Sequence, residues 1–177
     1  MNILIVSCSL NPKSRSRVLA RRAFDRLQEI KAAPAFLDLA KLPLPLCDGG
    51  AAYGDANVQA AQKQIAGADA ILLAVPIYNY DANAAAKNLI ELTGKAWEGK
   101  VAGFLCAAGG EASYMSVMAL ANSLMLDFRC LIVPRFVYAT GESFSDDSLA
   151  DQELEERIVQ LADETARLAR ALTVAKS

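Results

Sequence analysis

The chain of 177 residues contains no histidine. That absence removes zinc sites of the usual histidine-containing kinds and every Ser–His or Cys–His nucleophilic arrangement. Cysteine is sparse, at positions 8, 47, 106 and 130, and none forms a C-x-x-C pair, so a dithiol redox motif is excluded. Cys8 and Cys106 fall at expected strand ends and Cys130 in a strand, where a thiol usually serves as a small buried hydrophobe. No stretch approaches the roughly 18 uninterrupted apolar residues of a membrane span. The first residues lack the basic segment and long apolar run of a signal peptide, so a cytoplasmic location is expected. Charge of one sign is also lacking: 18 Lys and Arg face 20 Asp and Glu, net −2. Outside the first loop and helix no basic face is evident, so nucleic acid is not an expected partner. With these groups gone, no catalytic side chain and no metal are expected, and the chemistry is read as borrowed from a cofactor.

What is present is a compact α/β pattern. A 54% hydrophobic, 21% charged composition suits a fully buried sheet, and a chain of this length makes one domain, 1–177. Apolar runs at 2–7, 35–39, 69–75, 101–108 and 130–139 read as strands, the last interrupted by Pro134 and therefore an edge. They alternate with helices expected over 16–31, 55–66, 83–94, 113–126 and 148–171, the last opened by a capping box at Ser148. Strict alternation implies a parallel sheet with helices on both faces. Five such units favour the strand order 2-1-3-4-5, with a ligand beyond the carboxyl ends of the first and third strands.

Three loops then fall together. Residues 8–17, Cys8-Ser9-Leu10-Asn11-Pro12-Lys13-Ser14-Arg15-Ser16-Arg17, carry three hydroxyls, three cations and a helix start. Hydroxyl donors, orphan amides and a positive dipole end are what a phosphate needs. The loop has no glycine, so it is neither a dinucleotide-binding G-x-G-x-x-G nor a P-loop. An ordinary serine-capped turn is the competing reading. Pro76-Ile77-Tyr78-Asn79-Tyr80-Asp81-Ala82-Asn83 offers rings and amides suited to a planar heteroaromatic ligand; tyrosines closing a sheet edge are the alternative. Ala107-Ala108-Gly109-Gly110-Glu111-Ala112-Ser113-Tyr114 lets backbone approach a ligand before a helix begins at Ser113; a plain turn with an N-cap explains it as well.

Taken together, the chain resembles the NADPH-dependent FMN reductase family of flavodoxin-like oxidoreductases, which includes quinone and azo-dye reductases. Of the family's Gly-Ser-Leu-Arg-x-x-Ser-x-Asn/Thr, the residues Ser9, Leu10 and Ser14 match. Cys8 stands for Gly, Asn11 for Arg and Ser16 for Asn/Thr. Of Pro-x-Tyr-Asn followed by Ser, Pro-Gly and Leu-Lys-Asn, the residues Pro76, Tyr78, Asn79, Lys87 and Asn88 match. Asp81 stands for Ser, Asn83-Ala84 for Pro-Gly and Ala86 for Leu. Gly109-Gly110 matches a Gly-Gly after the fourth strand. The resemblance covers nearly the whole chain. It implies a flavodoxin-like three-layer sandwich, bound FMN and NADPH or NADH as co-substrate. Electrons would pass by a ping-pong route to a small-molecule acceptor such as a quinone or azo compound. It places Ser9, Asn11, Ser14, Arg15 and Ser16 at the FMN phosphate. Pro76, Ile77, Tyr78, Asn79, Tyr80, Ala108, Gly109, Gly110 and Ser113 fall around the ring. It also implies a homodimer or homotetramer, with the helix after Ala82 near a subunit contact. An electron carrier of the flavodoxin kind, or a flavin-binding protein without turnover, is the alternative. A phospho-receiver of the same topology is excluded, because the third strand ends in Val75-Pro76 and not in aspartate.

Overall fold

The structure, a computed structural model, describes residues 1–146 and 148–174. The end of the expected domain at 175–177 lies outside the described residues. Strand β1, Ile3–Ser7, is buried along its whole length and leads into helix α1, Arg15–Glu29. Then come β2, Pro34–Asp38; α2, Ala56–Ala66; and β3, Ala70–Tyr78. After these come β4, Asp81–Ala82; α3, Ala84–Thr93; β5, Val101–Ala107; and α4, Met118–Phe128. The chain continues through β6, Leu131–Ile132; β7, Val137–Ala139; β8, Phe144–Ser145; β9, Ser148–Leu149; and α5, Gln152–Val174.

The parallel sheet runs β2-β1-β3-β5, and β6 and β7 both pair with β5 as one interrupted edge. With β6 and β7 counted as one strand this is the expected order 2-1-3-4-5. Pro134 cannot donate to the ladder, which is why the edge breaks there. Alternate residues feed two cores. Leu4, Val6, Ile71 and Leu73 face one side, with Ile65 of α2, Leu89 of α3 and Leu124 of α4. Ile3, Ile5, Leu72 and Leu105 face the other, with Leu19 and Leu27 of α1 and Ile158 and Leu161 of α5. These are the three layers. A Cβ on Gly103 would meet Leu72 Cδ2 at 2.7 Å and Leu161 Cδ1 at 3.4 Å, so this strand position has no room for a side chain.

Four local expectations are corrected. Pro76 does not end the third strand. It pairs in parallel register with Ala107, and β3 runs on to Tyr78, where it turns back into antiparallel β4. The helix expected from Ser113 begins as a 3-10 segment over Glu111–Val117, and α4 proper starts at Met118. Ser113 is non-helical there and caps nothing. Ser148 opens no capping box: it belongs to the β8–β9 ribbon, its hydroxyl bonded to the Ser145 carbonyl. The last helix is capped by Asp151, whose carboxylate accepts from the Leu154 N–H at 3.0 Å.

Candidate functional site

The register aligns Ser7 of β1, Ala74 of β3 and Leu105 of β5, so the loops after these strands emerge along one edge of the sheet. They enclose a cavity of about 780 Å³. From the first loop it is lined by Asn11, Lys13, Ser14, Arg15 and Ser16. From the second come Pro76, Ile77, Tyr78, Asn79 and Tyr80. The third gives Ala107, Ala108, Gly109, Gly110, Ala112 and Ser113. Thirteen of the fourteen residues singled out in the sequence are therefore on this wall. Ser9 is not: it is buried, and its hydroxyl accepts the Asn11 N–H at 3.2 Å, shaping the loop from behind. Lys13, Ala107 and Ala112 were missed. Lys13 carried the simplest signal, a cation inside the loop already read as anion-binding.

The first loop delivers donors. Ser14 sits at the N-cap of α1 without capping it, and no acidic residue occupies the first turn. The amides of Ser14, Arg15 and Ser16 thus have no acceptor among the described residues and retain the positive end of a four-turn helix. Ser14 and Ser16 hydroxyls lie 2.7 Å apart. One proton serves that contact and the other is left to donate. Among the described residues no carboxylate lines the cavity, whereas Lys13 and Arg15 do. Arg15 is braced from outside, with its guanidinium 5.5 Å from the Phe144 ring centre.

The second loop is a two-residue hairpin. Asn79 and Tyr80 hold φ of 50° and 63°, the left-handed pair that such a turn requires, and asparagine is among the residues that tolerate it best. The turn presents Tyr78 and Tyr80, 56% and 69% exposed, at the cavity. In the third loop the Gly109 and Gly110 amides have no acceptor among the described residues. A Cβ added at either meets nothing within 4 Å. A residue not foreseen ties this loop down: Tyr138, on β7, donates to the Gly110 carbonyl at 2.6 Å and lies 2.8 Å from the Ser113 hydroxyl. With its one proton used on Gly110, Tyr138 accepts from Ser113, so Ser113 offers the cavity an acceptor. A tyrosine 25 residues downstream leaves no spacing signal in the sequence.

Two thiols lie beneath the site. Burial pushes Cys8 far up, and burial together with the neighbouring Cys8 does the same to Cys106, so neither supplies a thiolate. Among the described residues no cluster of His, Cys, Asp or Glu could hold a metal ion. The donor set fits FMN: free amides, hydroxyls and two cations at one end for a dianionic phosphate, and tyrosines with glycine backbone at the other for a planar ring.

Comparison with known proteins agrees. The family model described as NADPH-dependent FMN reductase matches residues 1–145. A crystal structure of an oxidoreductase from Corynebacterium diphtheriae superposes with a TM-score of 0.78. It is 19% identical, over 96% of this chain and 97% of that one. The apo form of an NADH:FMN oxidoreductase, EMOB, also gives 0.78, at 18% identity over 94% and 88% of the two chains. FerB from Paracoccus denitrificans, a flavoenzyme NAD(P)H:(acceptor) oxidoreductase, gives 0.77 at 20% identity over 96% and 97%. At these identities the likeness is one of fold. No curated protein matches the chain. The family match spans most of the sequence and all three loops of the cavity. The chain belongs to the NADPH-dependent FMN reductase family and is an FMN-dependent NAD(P)H oxidoreductase.

Proposed function

We propose that the protein takes electrons from NADPH or NADH and delivers them to a quinone, an azo compound or a similar small acceptor. The two substrates would use the same face of the site in turn. The observation that carries this reading is the wall of the cavity: donors and cations at one end, exposed tyrosines and unbonded glycine amides at the other, and among the described residues no carboxylate on it. FMN, when bound, supplies the hydride and electron chemistry that no side chain here can perform.

The residues of the chain do the rest. Ser14, Ser16, Lys13 and Arg15, with the first amides of α1, hold the phosphate. Asn11 closes that end of the site. Residues 76–80 and 108–110 hold the ring, Tyr138 keeping the Gly110 peptide in place. Free amides at Gly109 and Gly110 favour negative charge beside them, as fixed donors do at an oxyanion site. Among the described residues no acid lines the wall, which supports protons reaching a reduced acceptor from solvent. The exposed Tyr78 and Tyr80 leave one face open to flat molecules, which supports aromatic acceptors. The four cysteines, free in the structure, support a reducing compartment, the cytoplasm; among the described residues no helix is long and apolar enough to cross a membrane. Assembly as a homodimer or homotetramer is part of the same reading and rests on the family resemblance.

Steady-state kinetics with NADPH and a quinone test the route. Varying one substrate at several fixed levels of the other gives parallel double-reciprocal lines if the two alternate at one site. Converging lines contradict the proposal.

A further inference from the structure

Three carbonyls of the loop after β1, those of Cys8, Ser9 and Asn11, each accept a side-chain hydrogen bond. Two residues off the cavity wall hold them. Arg17, 15% exposed at its side chain, donates through Nη1 to the Asn11 carbonyl at 2.6 Å and through Nη2 to the Ser9 carbonyl at 3.3 Å. Asn83, 6% exposed, donates through Nδ2 to the Cys8 carbonyl at 2.8 Å. Its own backbone N–H goes to the Pro76 carbonyl at 3.0 Å, so Asn83 bridges the first and second loops of the site.

Both residues are committed to this work at some cost. Asn83 stands at the N-cap of α3 yet makes no cap there, and its Oδ1 is buried with no partner among the described residues. Arg17 also binds Asp38 at the end of β2, Nε to Oδ2 at 3.1 Å and Nη2 to Oδ1 at 2.8 Å. Burial raises the Asp38 carboxyl, but the Arg17 hydrogen bonds, the Ala40 N–H and the nearby cations outweigh it and hold it below the ordinary carboxylate value. Asp38 therefore stays charged and neutralises Arg17. Of the three cations in the loop, Lys13 and Arg15 remain for an anion, and Arg17 does not.

We propose that Arg17 and Asn83 are positioning residues that clamp the Cys8, Ser9 and Asn11 carbonyls away from the site and so set the loop for a phosphate monoester. A peptide unit that turns its oxygen one way turns an N–H the other, and an anion is held by the N–H side; the Cys8 and Ser9 carbonyls share their units with the Ser9 and Leu10 N–H groups, whereas Asn11 precedes Pro12 and its carbonyl is held only to fix the course of the loop. The proposal rests on the FMN reading above.

The test compares FMN with riboflavin, which differ by the phosphate alone. Apoprotein of the wild type, Asn83→Leu and Arg17→Lys is titrated with each, with circular dichroism confirming the fold. Asn83→Leu keeps the volume and loses the donor without adding charge. Arg17→Lys keeps the charge for Asp38 and loses the fork, so it serves if the leucine prevents folding. The expected result is wild type binding FMN far more tightly than riboflavin. Each variant should weaken FMN by roughly tenfold or more and leave riboflavin binding nearly unchanged. Parallel loss of both ligands, or no loss of either, overturns the clamp and leaves the FMN reading standing. Wild type that binds FMN no better than riboflavin overturns both.

Discussion

Ser14 and Ser16 share one hydrogen bond at 2.7 Å, so in the proposed site they would act on the phosphate as a pair. Removing both hydroxyls should weaken FMN by roughly ten- to a hundredfold, since a hydrogen bond to a charged group is worth about 1.5–3 kcal/mol. The single variants should sum to more than the double, because each leaves the other hydroxyl without its neighbour. Fluorescence titration measures this, and an unchanged dissociation constant in the double variant would move the phosphate out of this loop. Asn79 poses a sharper question, because its φ of 50° gives it a backbone duty as well. Asn79→Gly keeps the turn and deletes the amide. Asn79→Leu deletes the amide and strains the turn by about 1–2 kcal/mol. If the amide touches the ring, anaerobic stopped flow shows slowed reduction by NADPH in both variants; a glycine variant that reduces at the wild-type rate makes Asn79 a turn residue only. The wall residues were readable because strand ends in such a sheet deliver their loops to one place. Tyr138, Arg17 and Asn83 were not readable in their roles. Each works through a hydrogen bond to a backbone carbonyl, which leaves no residue-type signature in the sequence.

At the scale of elements, the strands were legible wherever they were buried on both faces, since a continuous apolar run has no other home. The helices were legible where the apolar spacing was helical, as with Leu19, Ala20, Ala23 and Leu27 in α1. Misreadings fell where tertiary contact overrode local preference. Pro76 lies inside a strand because that strand's end is a hairpin, and Ser113 loses its capping role because its hydroxyl meets Tyr138. Gly103 shows the opposite case, a glycine in a strand with a packing reason that only the structure supplies. Gly103→Ala forces a methyl to within 2.7 Å of Leu72 Cδ2. It should destabilise the fold by about 1–3 kcal/mol in chemical denaturation, while the folded fraction binds FMN as tightly as wild type. A variant as stable as wild type would mean that the layers have slack at this point.

For the whole molecule, the sheet order places three loops at one edge, and everything proposed about function depends on that convergence. The order was legible because five alternating units leave few ways to bury a parallel sheet. The split of the last strand into β6 and β7 and the ribbon of β8 and β9 added detail without changing it. All of this rests on FMN sitting in this cavity and being reduced there by nicotinamide. The most direct measurement is anaerobic stopped flow of the FMN-loaded protein mixed with NADPH or NADH, following the flavin's visible absorption. The absorption is expected to bleach in a saturable reaction and to return when a quinone is added. Flavin that binds but keeps its colour with both nicotinamides, or protein that binds no FMN at all, would contradict it.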